Sequence, residues 1–168
     1  MRLRGTARDR IREVTADVTI RPAERRDVPG IVHLYSSDDL HGSEERGSRD
    51  VSEGYLRAFE EIANDPNNGV YVAELGGVVV GTCQLTFIRQ LSYGGCLVAQ
   101  VESVYVDANV RSRGVGQRLL DHSISLARAR GALRVQLTSN DKRDRAHRFY
   151  ERLGFRATHR GMKLYLQA

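Results

Sequence analysis

Apolar and polar positions alternate with a period of two along some stretches of the chain and near 3.6 along others, and the switches between them order the elements. Val18-Thr19-Ile20-Arg21-Pro22 alternates and stops at a proline, which reads as a short strand. Arg25 to Tyr35 puts Val28, Ile31, Val32 and Tyr35 on one helical face. Ser36 to Asp50 is polar and glycine-bearing, so a loop is expected. A second helix is predicted from Val51 to Ala63, stopped by Asn64-Asp65-Pro66-Asn67-Asn68-Gly69.

Two β-rich runs follow, Val70 to Leu75 and Val78 to Ile88, split by Gly76-Gly77. A glycine pair between such runs predicts a hairpin, because tight hairpin turns require positive φ. A loop at Leu91 to Gly95 leads to a third run, Leu97 to Val106, so an antiparallel meander is expected. The pattern then changes to a long helix, Gly114 to Arg130, ended by Gly131. A strand (Leu133 to Thr138), a helix (Arg145 to Leu153) and a strand pair within Phe155 to Leu166 complete the reading. Strands first, then alternating helix and strand, predict a mixed α/β (α+β) sandwich rather than a doubly wound sheet. The first 17 residues hold five arginines and three acids with little periodic apolar content. They are expected to form a flexible arm on a domain spanning 18–168.

Composition narrows the function classes. The 168 residues suffice for one domain, and 40% hydrophobic with 28% charged residues excludes a disordered or collagen-like chain. No apolar run approaches the roughly 20 residues of a membrane span. No apolar stretch follows the charges of Met1 to Arg8, so a soluble, cytoplasmic protein is expected. The net charge of +5 comes almost wholly from arginine, Lys142 and Lys163 being the only lysines. These arginines are scattered among acids, which argues against nucleic acid as the main partner. Cys83 and Cys96 are too few for a disulfide framework, and neither they nor the histidines show metal-ligand spacing. No metal is expected.

The junction that carries chemistry is Val101 to Leu120, a strand running through a glycine-bearing turn into a helix. Unsatisfied N–H groups at such a helix start cradle anions. Gly114 and Gly116 would admit a phosphate close to the backbone, with Arg111, Arg113 and Arg118 adding charge. No lysine follows the second glycine, as a Walker loop requires, and the glycines lack the G-x-G-x-x-G spacing of dinucleotide folds. An ordinary helix start with a glycine turn is the plain alternative.

Arg111-Ser112-Arg113-Gly114-Val115-Gly116 resembles the R/Q-x-x-G-x-G/A signature of the GCN5-related N-acetyltransferases. Ala146-His147-Arg148-Phe149-Tyr150-Glu151-Arg152-Leu153-Gly154-Phe155 resembles the A-x-x-F-Y-x-x-x-G-F block of the same family. The two stand in the family's order and on the expected elements, over nearly the whole domain. Thr138 to Tyr150 also resembles, more weakly, the subgroup acting on small aminoalkylphosphonates.

The resemblance implies a mostly antiparallel central sheet with a splayed parallel strand pair, flanked by about four helices. It implies acetyl-CoA as cosubstrate and a small primary amine as acceptor, attacked directly in a ternary complex. The pyrophosphate would lie on Arg111, Ser112, Arg113, Gly114, Val115, Gly116 and Gln117. The pantetheine arm would pair with Val104, Tyr105 and Val106, where the strand parts from Val135 to Thr138, and an N–H near Val104 would polarise the thioester carbonyl. Asn140, Ala146, Phe149 and Tyr150 would complete the cofactor site, with Asn140 alternatively a turn or helix cap.

A primary amine with a pKa of about 10.4 must lose a proton before it attacks. Glu102 is the candidate base, a salt bridge to an arginine being the alternative. Strict alternation would put Val101, Ser103 and Tyr105 on one face and Glu102, Val104 and Val106 on the other. Tyr150 is the implied acid for the leaving thiolate, or else a core aromatic like Phe149. His147, three residues before Tyr150, reads as a surface or cofactor-adjacent histidine. Asp38 and Asp39, with Glu44 and Glu45 beyond, could draw a cationic amine, and Tyr93 could close over it; a solvated loop is the other reading. Many family members pair, which leaves a homodimer open. The alternatives in function are a protein lysine or N-terminal acetyltransferase and a non-catalytic acyl-CoA sensor.

Overall fold

The structure is a computed structural model, and it describes residues 17–37 and 51–166. Five strands form one sheet in the order β1 (Val18–Pro22), β2 (Asn68–Leu75), β3 (Val78–Arg89), β4 (Leu97–Val106) and β5 (Arg134–Leu137). Neighbours are antiparallel except β4 and β5, which run parallel. Helix α1 (Val28–Ser36), preceded by a 3-10 turn at Arg25–Asp27, and α2 (Glu53–Asn64) lie between β1 and β2. Helix α3 (Val115–Ala129) joins β4 to β5, as a parallel pair requires a long crossover, and α4 (Asp144–Arg152) follows. The mixed sheet with one parallel pair is the expected architecture.

The hairpin forms where the glycine pair predicts it. Gly76 and Gly77 take φ of 57° and 81°, and Leu75 pairs with Val78. The main core lies between the sheet and α3. Cys83, Leu85 and Phe87 of β3 and Leu97, Ala99 and Val101 of β4 meet Val115, Leu119, Leu120 and Ala127 of α3. Leu119 and Leu120 are fully buried, so truncating either to alanine costs about 2–5 kcal/mol. Helix α1 buries Val28, Ile31, Val32 and Leu34 outside that cluster. Gly30 lets it approach β3, since a Cβ there would stand 3.1 Å from Val79 Cβ.

Strict alternation fails in β4. Gln84 pairs with Glu102 and Thr82 with Tyr105, so β4 takes three steps where β3 takes two. The extra residue is accommodated at Ser103, whose φ is 50°. The bulge returns Val104 and Val106 to the Val101 side, where they pack against the core cluster. Tyr105 turns instead toward α1, with its ring 4.9 Å from that of Tyr35. Glu102 and Tyr105 therefore share the face away from α3, correcting the expected grouping.

The parting of the parallel pair is also shifted. Pairing runs from Val98–Arg134 to Val101–Leu137, so Val135 to Leu137 belong to the joined half. The strands part beyond Val101 on one side and Leu137 on the other.

The strand pair expected within Phe155 to Leu166 is absent among the described residues. A Cβ at Gly161 would lie 3.5 Å from Thr138 Cγ2, so the segment passes the end of the four-residue β5 and finds no ladder there. Met162, Leu164 and Leu166 keep a strand's alternation but are 86–91% exposed.

An arginine ties β1 to its neighbours. Arg21 donates Nη1–H and Nη2–H to the two carboxylate oxygens of Asp27, at 2.6 and 2.9 Å, and Nε–H and Nη2–H to Glu74 Oε2. Asp27 is buried, accepts the Glu24 N–H at 2.7 Å, and has its carboxyl held below the usual range chiefly by the Arg21 hydrogen bonds.

Candidate functional site

Gly114 is the N-cap of α3 and adopts φ 83°, with Ser112 at 62° two residues earlier. The first rung of the helix runs from Arg118 N–H to Gly114 O at 3.0 Å. The N–H groups of Val115, Gly116 and Gln117 precede that ladder, and among the described residues no side chain caps the helix start. The turn is pinned to the end of β4. Arg111 Nε donates to Val106 O at 3.0 Å, and Asp107 Oδ1 accepts Asn109 N–H at 2.7 Å. Arg111, Ser112, Arg113 and Gln117 are exposed, while the Val115 side chain is in the core and offers only its backbone. Outward N–H groups beside two exposed guanidiniums suit a bound oxyanion such as a pyrophosphate.

Gly116 has a packing role that the glycine pattern alone does not reveal. A Cβ at this position would lie 3.4 Å from Phe149 Cζ and 3.6 Å from Val106 Cγ2. Three expected site residues, from α3, α4 and β4, thus meet at one point. The face of Gly116 toward the protein is closed by an aromatic ring.

Tyr150 is half-buried on α4, its ring 5.2 Å from Phe149 and 5.9 Å from Phe155. Burial pushes its phenol above the usual value, partly opposed by the Arg143 charge. Ala146 and His147 are half-buried on the same helix. Asn140 adopts the turn arrangement, with Oδ1 accepting Lys142 N–H at 2.9 Å. Glu102 is exposed opposite Gln84 and has no ion pair among the described residues. Val104, Tyr105 and Val106 line the stretch of β4 beyond its pairing with β5.

Tyr93 lies in a tight turn, Ser92–Gly95, with φ 52° and its ring 5.8 Å from the Arg134 guanidinium carbon. Asp38, Asp39, Glu44 and Glu45 lie outside the described residues.

A polar row missed at the sequence level crosses this face of the sheet. Gln136 Nε2 donates to Gln100 Oε1 at 2.9 Å, and Arg134 Nε donates to Gln136 Oε1 at 3.0 Å. The signal was available, since Gln100 and Glu102 in β4 and Arg134 and Gln136 in β5 put polar residues at every second position. A separate cavity of about 210 Å³, lined by Phe59, Ile62, Val70 and Tyr71 among others, involves none of the expected site residues.

A five-stranded mixed sheet with one parallel pair that parts beside the start of α3 defines a mixed α/β class. The family model of the acetyltransferase (GNAT) family matches residues 30–155, and the chain belongs to that family. Glucosamine 6-phosphate N-acetyltransferase of Trypanosoma brucei brucei is 35% identical over 97 residues, covering 58% of this chain and 64% of that protein. Aminoalkylphosphonate N-acetyltransferase of Salmonella typhimurium is 33% identical over 95 residues, covering 56% and 61%. The chain thus spans less than two thirds of either relative. A solved structure, described as a transcriptional regulator from Bacillus halodurans C-125, superposes with a TM-score of 0.86 at 40% identity. The match covers 89% of this chain and 99% of that one.

Among the described residues, no helix is long and apolar enough to cross a membrane.

Proposed function

We propose that this protein transfers an acetyl group from acetyl-CoA to a primary amine of a small molecule, by direct attack within a ternary complex. The observation that carries this reading is the cradle at the start of α3, adjoining a β4 edge released from β5. Acetyl-CoA supplies the activated acyl thioester, and its pyrophosphate suits the N–H groups of Val115, Gly116 and Gln117 with Arg111 and Arg113 alongside. Backbone groups of Val104 to Val106, unpaired with β5, suit an amide-bearing arm, and the Val104 N–H is the proposed donor to the carbonyl oxygen.

Glu102, exposed and without an ion pair among the described residues, takes the proton from the ammonium directly or through a water. The neutral nitrogen bonds to the acetyl carbon as the carbon–sulfur bond breaks with its electron pair going to sulfur. Tyr150 gives its phenolic proton to that sulfur, and solvent restores it. Burial keeps the phenol protonated until the thiolate forms. The acetyltransferases named above act on amines of small molecules, which favours that acceptor class over a protein side chain.

A second reading is an acyl-CoA-binding regulator without turnover, favoured by the description of the Bacillus halodurans structure. Thiol release from acetyl-CoA against a panel of amines, with a no-amine blank, decides between them. Amine-dependent release supports the enzyme. Acetyl-CoA binding without release under any amine supports the regulator.

A further inference from the structure

We infer that Arg134 selects an acceptor amine that also carries an oxyanion, held at the far end of a polar strip from Glu102; this rests on the acetyltransferase reading and names its substrate class. Val135 and Leu137 of β5 pack against the core cluster beneath α3, so Arg134 and Gln136 stand on the opposite face. Gln136 bonds Gln100 across the strands, and Glu102 follows Gln100 on the same face before the bulge at Ser103. The strip therefore runs from Arg134 through Gln136 and Gln100 to the proposed base.

Arg134 is held in place without being neutralised. Its Nε donates to Gln136 Oε1 at 3.0 Å and its Nη2 to Gln90 Oε1 at 3.2 Å, both uncharged amide oxygens. Among the described residues no carboxylate lies within ion-pair distance of it. A guanidinium has five N–H donors, and these two bonds leave both N–H groups of Nη1 and one of Nη2 for a ligand. That Nη1–Nη2 edge is the fork that grips a carboxylate or phosphate through two parallel bonds. Arg21 shows the contrast, since two carboxylates engage it and it has only a structural role.

Tyr93 gives a second, independent indication. A non-glycine residue in the left-handed region costs about 1–2 kcal/mol, yet Tyr93 holds φ 52° and ψ 41° with its side chain 77% exposed. No core packing rewards that conformation. What it accomplishes is to stand an aromatic ring 5.8 Å from the Arg134 guanidinium carbon, forming a wall beside the cation.

The charges set the substrate class. Arg134 pairs in register with Val98, four positions from Glu102, about 13 Å of strand at 3.3 Å per residue. A compact molecule with an amine at one end and an oxyanion at the other meets both charges. Polyamines and other polycations meet repulsion at Arg134.

The test compares wild type, Arg134→Gln and Arg134→Lys on matched acceptors. O-phosphoethanolamine is set against ethanolamine, 3-aminopropylphosphonate and β-alanine against propylamine, and spermidine serves as the polycation. The expected result for wild type is at least tenfold higher kcat/KM on the oxyanionic member of a pair. Arg134→Gln should raise KM for that member about tenfold or more, while leaving the neutral analogue and the KM for acetyl-CoA unchanged. Arg134→Lys should recover part of the preference, and the ranking among phosphate, phosphonate and carboxylate identifies the oxyanion. Preference for spermidine or the neutral amines, or a preference that survives Arg134→Gln, overturns the inference. Calorimetric titration of the same amines into the CoA-bound protein is read alongside. Oxyanion-dependent binding that Arg134→Gln removes, without turnover, would uphold Arg134 and reject the acetyltransferase. Equal binding of all amines to wild type would reject Arg134's role whatever the turnover.

Discussion

Gly116 of α3 faces the Phe149 ring of α4, and a Cβ at that glycine would stand 3.4 Å from Phe149 Cζ. The start of α3 and the helix bearing Tyr150 therefore approach one another where a side chain is missing. Gly116→Ala fits at ordinary contact distance and should melt within a few degrees of wild type. Gly116→Val, with two methyls directed at Phe149 and Val106, should separate the helices and lower the affinity for acetyl-CoA at least tenfold. Thermal melts and acetyl-CoA titration of the two variants test this; equal affinities would break the link. Gly114 differs because its φ of 83° is left-handed, so Gly114→Ala should cost about 1–2 kcal/mol by strain alone.

Replacing Tyr150 with phenylalanine removes the phenol and keeps the ring among Phe149 and Phe155. Turnover should fall on the order of 100-fold, a general acid's usual contribution, with the KM for acetyl-CoA unchanged. Because burial raises this phenol, it stays protonated up to and beyond pH 10, so no alkaline loss of activity below pH 10 should belong to it. A descending limb below pH 10 that disappears in Tyr150→Phe would contradict the assignment.

Glu102→Gln keeps the hydrogen-bonding shape and removes the proposed base. The rate should drop about 100-fold, most strongly at low pH, where the amine is most fully protonated. An unchanged pH–rate profile would remove Glu102 from the mechanism.

Acid stability should depend on Asp27. Its folded pKa lies below the ordinary carboxylate value of 3.8, so its stabilisation is complete above that value and is lost as pH falls through the folded one. Asp27→Asn should be less stable at neutral pH and should lose less stability between pH 5 and 3 than wild type. Urea midpoints at three pH values measure this, and parallel curves would show that Arg21–Asp27 is not the acid-sensitive bond.

His122 gives a separate pH signature. Its Nε2 is buried without a hydrogen-bond partner among the described residues, its ring meets Tyr71 edge-on at 5.0 Å, and burial lowers its pKa from 6.5. The unfolded chain binds the proton more readily, so stability should decline as pH falls below 6.5. His122→Phe should remove that decline and be neutral or stabilising at pH 7.5. A decline retained in the variant would place its origin elsewhere.

The sequence by itself determined whatever depends on neighbouring residues. Gly76-Gly77 dictated the hairpin because its turn needs positive φ, and the period change after Val106 dictated α3 and the cradle at its start. The matching motifs around Gly114 and Tyr150 likewise made the family legible before any geometry. Tertiary structure alone decided what depends on pairing between distant strands. The bulge at Ser103 reversed the faces of Val104 and Tyr105, because register with β3 is a property of two strands together. Met162, Leu164 and Leu166 alternate like a strand yet form none, because β5 ends before they could pair with it. Arg134 and Tyr93, 41 residues apart, face one another because β5 adds to the sheet beside β4, whose entry turn carries the tyrosine. Local pattern can state which residues are polar on a strand; only the closed sheet decides which of them share a face.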